Sequence, residues 1–271
     1  AALLGALVGV DANDPTTRAS AGRYQADYRP CLKPDGLRGA RLGVARGFAG
    51  FHDRVDALLE SALQVLRDLG AELVDPAEVP TRTEYGEPEW EVLQYEFKAD
   101  LNAYLATRPG LACRTLEDLI AFNRGHAAEE MPFFAQEIFL KSQEKGPLTD
   151  EAYLKARDDA RRLAGEEGID KVLAEHRLDA LVAPTGGPAW LIDYVNGDCG
   201  SGGCSSAAAA AGYPHLTVPA GFVRGLPVGL SFFGTAWSEP TLIRLAYAFE
   251  QATLHRRPPR LLPTVDFGAT G

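Results

Sequence analysis

Apolar positions along the chain fall into short runs suited to strands and longer 3.6-residue repeats suited to helices. Residues 40–46 alternate, with Leu42 and Val44 on one side, and predict a strand. Val55, Leu58, Leu59, Ala62, Leu66 and Leu69 then recur at helical spacing, with Asp53 as the expected cap, Asp56 at the third helical position and Gly70 as the stop. Residues 71–74 return to an extended pattern. A strand, helix and strand in this order predict a crossover onto a sheet.

Residues 76–90 carry Pro, Glu, Thr and Gly and predict an irregular connection. From Trp90 to about Gly168 the pattern is mainly helical. Helices are expected over 90–106, after a Thr115–Asp118 capping box (carrying Leu119, Ile120 and Phe122), over 132–142, and after Thr149 with a stripe of Tyr153, Ala156, Ala160 and Leu163. This stretch is too long for one crossover and is expected to form a helical layer or lobe (90–168) over one side of the sheet. Strand patterns return at 178–183, 216–219 and 227–234. The last is apolar at almost every position, as in a strand covered on both faces. A glycine-rich loop spans 184–203, a small-residue helix is expected over 205–211, and Ser238 precedes an amphipathic helix bearing Leu242, Leu245, Ala246 and Phe249. A Pro-rich tail follows His255. Residues 1–75 and 178–255 are thus expected to form a sheet-associated core.

The 271 residues can bury a sizeable core, and 46% hydrophobic with 24% charged residues is a soluble, globular composition. A formal net charge of -10 disfavours nucleic acid and anionic membrane as partners. No apolar run reaches the 18 residues of a membrane span. Residues 1–10 are apolar but lack a basic start and run into the turn-forming Asp11-Ala12-Asn13-Asp14-Pro15, so they read as the end of a buried helix rather than a signal peptide. A chain starting inside a core helix is expected to lack something before it. The compartment stays open between cytoplasmic and secreted or periplasmic. Four cysteines are too few for a disulfide scaffold. Cys199 and Cys204 could be a metal half-site, a local disulfide or two small thiols, but the five histidines show no ligand spacing, so neither metal nor cofactor is expected.

The segment 200–207, Gly-Ser-Gly-Gly-Cys-Ser-Ser-Ala, carries the most suggestive chemistry. A Gly-Ser turn opening a helix can offer backbone N–H groups to an oxyanion, and its serines could be nucleophiles. A serine nucleophile requires an adjacent base, and none stands at helical or turn spacing: His215 is about ten residues on and Lys171 is the nearest preceding lysine. Cys204 has no evident base either. The adjacent acids Asp158-Asp159 and Glu166-Glu167 point in different directions on a helix and read as solvated faces. Trp190, Asp193, Tyr194 and Asn196 place an aromatic beside hydrogen-bonding groups in the long loop, as at a substrate mouth and as in many ordinary loops. The residues alone describe an α/β protein with a plausible binding loop and no complete catalytic set.

Asp179-Ala-Leu-Val-Ala-Pro-Thr, Ala211-Gly-Tyr-Pro, Thr217-Val-Pro-Ala-Gly, Gly225-Leu-Pro-Val-Gly and the stretch from Glu239 through Phe249-Glu-Gln resemble, in order and spacing, the C-terminal core of amidase-signature enzymes. The opening apolar stretch with Asp14-Pro15 resembles the segment after that family's catalytic region. Trp90-Glu-Val-Leu, Tyr95-Glu-Phe-Lys-Ala-Asp-Leu-Asn, Gln136-Glu-Ile-Phe, Gly146-Pro-Leu-Thr, Pro188-Ala-Trp and Val195-Asn-Gly-Asp resemble the branch containing peptide amidase. The resemblance implies an α/β fold, the C-terminal portion of the amidase-signature fold, with a mixed sheet covered by helices on both sides and 1–271 as one incomplete domain. It also implies a mechanism. A serine attacks an amide carbonyl, a second serine held with a cis peptide and a lysine relay the proton, and glycine-rich N–H groups hold the oxyanion. Those positions would precede Ala1, leaving no catalytic residue here. Trp190, Asp193, Tyr194, Asn196, Gly202, Gly203 and Cys204 are then expected to line the substrate site, Cys204 standing where a small or polar residue is usual. The implied partners are a small-molecule or peptide amide and the missing N-terminal part of the same enzyme. The alternative is a non-catalytic, degenerate homologue acting as an interaction protein, since a bare half would expose apolar faces.

Overall fold

The structure, a computed structural model, describes residues 1–259 and 261. In chain order its elements are α1 (Ala2–Leu7), β1 (Arg41–Val44), α2 (Asp53–Asp68), β2 (Glu72–Val74), α3 (Gly86–Ala106), α4 (Leu116–Gly125), α5 (Ala127–Glu130), α6 (Glu137–Gln143), α7 (Glu151–Ala164), α8 (Lys171–His176), β3 (Ala180–Pro184), α9 (Ser206–Ala211), β4 (His215–Val223), β5 (Leu226–Phe233) and α10 (Glu239–Thr253). They fall into two compact units. One holds residues 1–82, 164–191 and the described residues from Cys199 on; the other holds Thr83–Leu163 and Ile192–Asp198.

The first unit is built on a mixed five-stranded sheet in the order β2-β1-β3-β5-β4. β1 pairs in parallel with β2 and β3, so α2 is a crossover, as the strand-helix-strand pattern predicts. β5 runs antiparallel to β3 and β4. Arg224 and Gly225, both at positive φ, turn the β4–β5 hairpin, the backbone such a two-residue turn demands. β4 is longer than the expected 216–219. Pro219 and Gly221 suggest a break, but β4 is the edge strand and carries a register shift there, where a missing N–H is tolerated.

Alternation along the strands sends side chains to two faces. Leu42, Val44, Ala180, Val182, Leu230 and Phe232 pack against Leu59, Ala62, Leu63 and Leu66 of α2 and Leu242, Leu245, Ala246 and Phe249 of α10. Truncating a fully buried leucine here, such as Leu66→Ala, should cost about 2–5 kcal/mol. The intervening residues, Leu181, Ala183, Ser231 and Phe233, point to the other face and are also fully buried. A π-helical turn (Gly165–Asp170) leads into α8, and α9 packs against that turn. Tyr213 donates to Asp170 Oδ2 at 2.5 Å, tying the turn after α9 to it.

Several terminal details differ from the sequence expectation. α2 is capped by His52, whose Nδ1 accepts from the Arg54 amide at 3.2 Å; Asp53 is already helical, and Asp56 instead accepts from the Gly50 amide. Ser238 precedes α10, yet its hydroxyl donates to the Thr235 carbonyl rather than capping the helix. α6 begins five residues after the expected 132, and α7 two residues after Thr149. α1 forms, but none of its residues is buried: Gly5 lies against the Ala26 carbonyl while Leu3 and Leu7 project into solvent. The expected tail beyond His255 has no regular element to residue 259, and residues 260 and 262–271 lie outside the described residues.

The second unit is helical. The Thr115–Asp118 capping box is present on α4, Leu116 and Ile120 are buried, and Phe122 is instead exposed and stacked on His126. Polar clamps join distant parts of the unit. Lys145 Nζ meets both oxygens of Glu91 at 2.7 Å, Lys98 Nζ donates to the Gln143 and Lys145 carbonyls, and Tyr153 donates to Glu96. Tyr95 donates to Asp150 and packs against the Tyr153 ring.

Candidate functional site

The loop after β3 starts on the sheet face opposite α2 and α10. Thr185 continues β3, its amide donating to the Gly229 carbonyl at 2.9 Å. Its hydroxyl lies 2.7 Å from that of Thr217 on β4 and 2.8 Å from that of Ser231 on β5. Three hydroxyls from three neighbouring strands thus form one hydrogen-bonded group. Gly229 makes room for it, since a Cβ there would collide with the Thr185 and Thr217 hydroxyls. Farther along, the Gly187 amide donates to the Ser201 carbonyl at 2.8 Å and staples the two arms of the loop together.

The expected site residues have different fates. In the sheet unit, Trp190 is about half exposed (49%), and its ring lies beside Gly200. Gly202 holds φ +63°, and a side chain there would run into the Phe51 ring, so the loop requires glycine at this point. Gly203 is exposed and passes close to the Thr185 carbonyl. Cys204 is fully buried. In the helical unit, Asp193 accepts from the Val195 and Asn196 amides at 2.9 Å and from Asn196 Nδ2 at 2.8 Å. Asn196's side-chain donor, then the two backbone donors, hold this carboxyl below its ordinary value. Asp193 and Asn196 therefore complete a local turn with each other. Tyr194 stacks on Phe133 with ring centroids 4.2 Å apart.

Cys204 does have a neighbouring base, contrary to the sequence expectation. His215, the first residue of β4, places Nε2 at 3.5 Å from Cys204 Sγ. The link is hidden in the sequence because α9 and the left-handed Gly212 fold back between the two residues. Proximity does not make the thiol a nucleophile. Burial pushes it up to about 11, with the Ser231 hydroxyl opposing weakly, and burial lowers His215 below its ordinary value. Both groups favour their neutral forms, the opposite of a thiolate-imidazolium pair. The His215 ring also stacks against Phe233.

Ser205 and Ser206 are exposed at the start of α9, and among the described residues no hydrogen bond joins either hydroxyl to a histidine or lysine. α9 spans six residues, too short to supply a strong N-terminal field. Cys199 is exposed and Cys204 buried, both as free thiols. Among the described residues no group of three or more His, Cys, Asp or Glu side chains converges as metal ligands, and no helix is long and apolar enough to cross a membrane. The three hydroxyls of Thr185, Thr217 and Ser231 are hydrogen-bonded to one another at the strand ends beneath the loop. They do not present an activated nucleophile.

Comparison with known proteins adds an independent line. The family model described as Amidase matches residues 1–243. A probable amidase of Arabidopsis thaliana is 34% identical over 269 residues, covering 96% of this chain and 47% of that protein. One subunit of the glutamyl-tRNA(Gln) amidotransferase of Moorella thermoacetica is 32% identical over 268 residues, covering 94% of this chain and 53% of its own length. Among solved structures, native peptide amidase from Stenotrophomonas maltophilia superposes with a TM-score of 0.87 at 49% identity, over 96% of this chain and 52% of that one. A peptide amidase bound to the competitive inhibitor chymostatin gives 0.90 at 50% identity, over 96% and 53%. The chain spans about half the length of the relatives it matches.

Proposed function

Because the chain belongs to the amidase family, we propose that it is the C-terminal part of an amide hydrolase of the amidase-signature type. It supplies sheet core and one wall of the substrate site, while the serine–serine–lysine set is carried by a part of the enzyme preceding Ala1. The observation that carries this reading is the 50% identity and TM-score of 0.90 with peptide amidase over about half of that enzyme. The lack of an activated nucleophile among the described residues accords with it. The substrate is a small-molecule or peptide amide, and the level of identity favours a C-terminal peptide amide. Here Trp190 and the glycines at 202 and 203, all in the sheet unit, are the contacts that face the substrate. Cys204 acts beneath them, as packing. Asp193 and Asn196 act by shaping the turn that carries Tyr194.

Intact mass and N-terminal sequencing of the native protein test the proposal. An upstream stretch containing a lysine and a Gly-Ser-Ser-Gly-type segment is expected. A native chain that starts at Ala1 and turns over a peptide amide, with turnover lost in Ser205→Ala or Ser206→Ala, would overturn it. A native chain starting at Ala1 without turnover would leave the non-catalytic interaction role instead.

A further inference from the structure

The helical unit contains a groove that the loop chemistry does not use. It lies along α3 and α6 and encloses about 590 Å³, a volume suited to a small molecule. Trp90, Leu93, Phe97, Leu101, Tyr104 and Ile138 form its apolar walls. Three of these are aromatic, and ring faces attract cations as well as apolar groups. The frame is braced within the unit: Phe97 packs on Phe139 at 5.4 Å between centroids, and Lys98 holds the carbonyls at the end of α6 and just beyond it.

Two features specify what fits. Ser142 lines the groove, is 1% exposed, and its hydroxyl has no hydrogen-bond partner. Buried hydroxyls are nearly always paired, and leaving one unpaired costs free energy that a ligand donor would recover. The charged residues lining the groove are Glu96 and Asp100, and none of the lining residues is basic. A hydrocarbon would leave Ser142 unsatisfied, and an anion would be repelled by the negative charge of Asp100 and of Glu96, whose carboxyl also accepts from Tyr153. We propose that this groove binds a small aromatic cation, an aryl-alkyl ammonium. Its ring lies among Trp90, Phe97 and Ile138, and its N–H donors are directed at Ser142 and the acidic side chains.

Isothermal titration of the full 271-residue chain with phenethylamine at pH 7 tests this, with 3-phenylpropionate as the anion of similar size and 3-phenylpropanol as the neutral control. Saturable one-to-one binding of phenethylamine is expected, at least about tenfold tighter than the propionate. Ser142→Ala should weaken it several-fold, and Asp100→Asn should narrow the preference for cation over anion. Ile138→Arg should abolish it, and Leu93→Arg serves if that variant does not fold, as both side chains are about half exposed (49% and 51%). Circular dichroism verifies folding of each variant. Absence of saturable heat up to the solubility limit, equal binding of the propionate, or binding retained in a folded arginine variant would overturn the proposal. So would concentration-dependent self-association that Ile138→Arg abolishes while phenethylamine binds neither form, because the groove would then be a protein interface.

Discussion

The reactivity of Cys204 separates a packing role from a catalytic one. Its thiol is fully buried, 3.5 Å from His215, and pushed up to about 11 by desolvation. At pH 8 such a thiol is only about one part in a thousand thiolate, whereas a cysteine in the unfolded chain, near 8.5, is about one quarter thiolate. Ionisation alone therefore slows alkylation of the native chain by roughly two hundred-fold, and exclusion of reagent slows it further. The native rate should rise about tenfold per pH unit from 8 to 10. The assay is iodoacetamide labelling of native and urea-unfolded chain, quenched over time and read by peptide mass spectrometry, with exposed Cys199 as the internal reference. The same shift affects stability. The raised value means the folded state keeps a proton the unfolded state releases, so stability is intact below about pH 8.5 and falls as pH rises towards 11. The loss is about 3 kcal/mol. Labelling of native Cys204 at pH 8 as fast as in the unfolded chain would refute the argument. It would mean that His215 holds a thiolate, and the cysteine would again be a candidate nucleophile.

Other residues give further tests. His215 is lowered by burial, so the folded state resists protonation and stability should fall as pH drops below about 6.5; the loss should vanish in His215→Gln, read by urea melts at pH 5 and 7. Gly229→Ala should lower stability by about 1–3 kcal/mol, because its methyl displaces the Thr185–Thr217 pair, and Ser231→Ala should cost only about 1 kcal/mol, since Thr185 retains Thr217. Tyr213→Phe removes the hydroxyl that meets Asp170 at 2.5 Å, leaving a carboxyl whose other oxygen is already unpartnered, and should cost about 1–3 kcal/mol in a denaturant melt. In the complete enzyme Trp190→Ala should raise KM or lower kcat/KM for a peptide amide, and unchanged kinetics would remove this residue from the site.

Helix periodicity and the β1-α2-β2 crossover were legible because each rests on local spacing. The stripe on α2 has Val55, Leu59, Ala62 and Leu66 buried as expected. Helix ends were less legible. His52 outcompetes Asp53 as a cap through a ring nitrogen, and Ser238 prefers the Thr235 carbonyl. Longer-range chemistry was hidden. Nothing in the spacing of Thr185, Thr217 and Ser231 shows that three adjacent strands bring their hydroxyls together, and Cys204 meets His215 only after α9 reverses the chain. The turn that Asp193 closes on the Val195 and Asn196 amides was also not read from the sequence, although an aspartate followed two and three residues on by free amides can close one. The groove on α3 had a signal: Trp90, Leu93, Phe97, Leu101 and Tyr104 recur at three- and four-residue spacing, and the exposure of Trp90, Leu93, Phe97 and Tyr104 is visible only in the fold.

The central claim is that this chain forms part of an amide-hydrolysing site without carrying its nucleophile. Ammonia release from a C-terminal peptide amide tests it most directly, measured for the 271-residue chain alone and for the chain produced together with the upstream coding region. The account predicts background release from the chain alone and turnover from the longer product, with that turnover surviving Ser205→Ala and Ser206→Ala. Turnover by the chain alone that either substitution abolishes would contradict it.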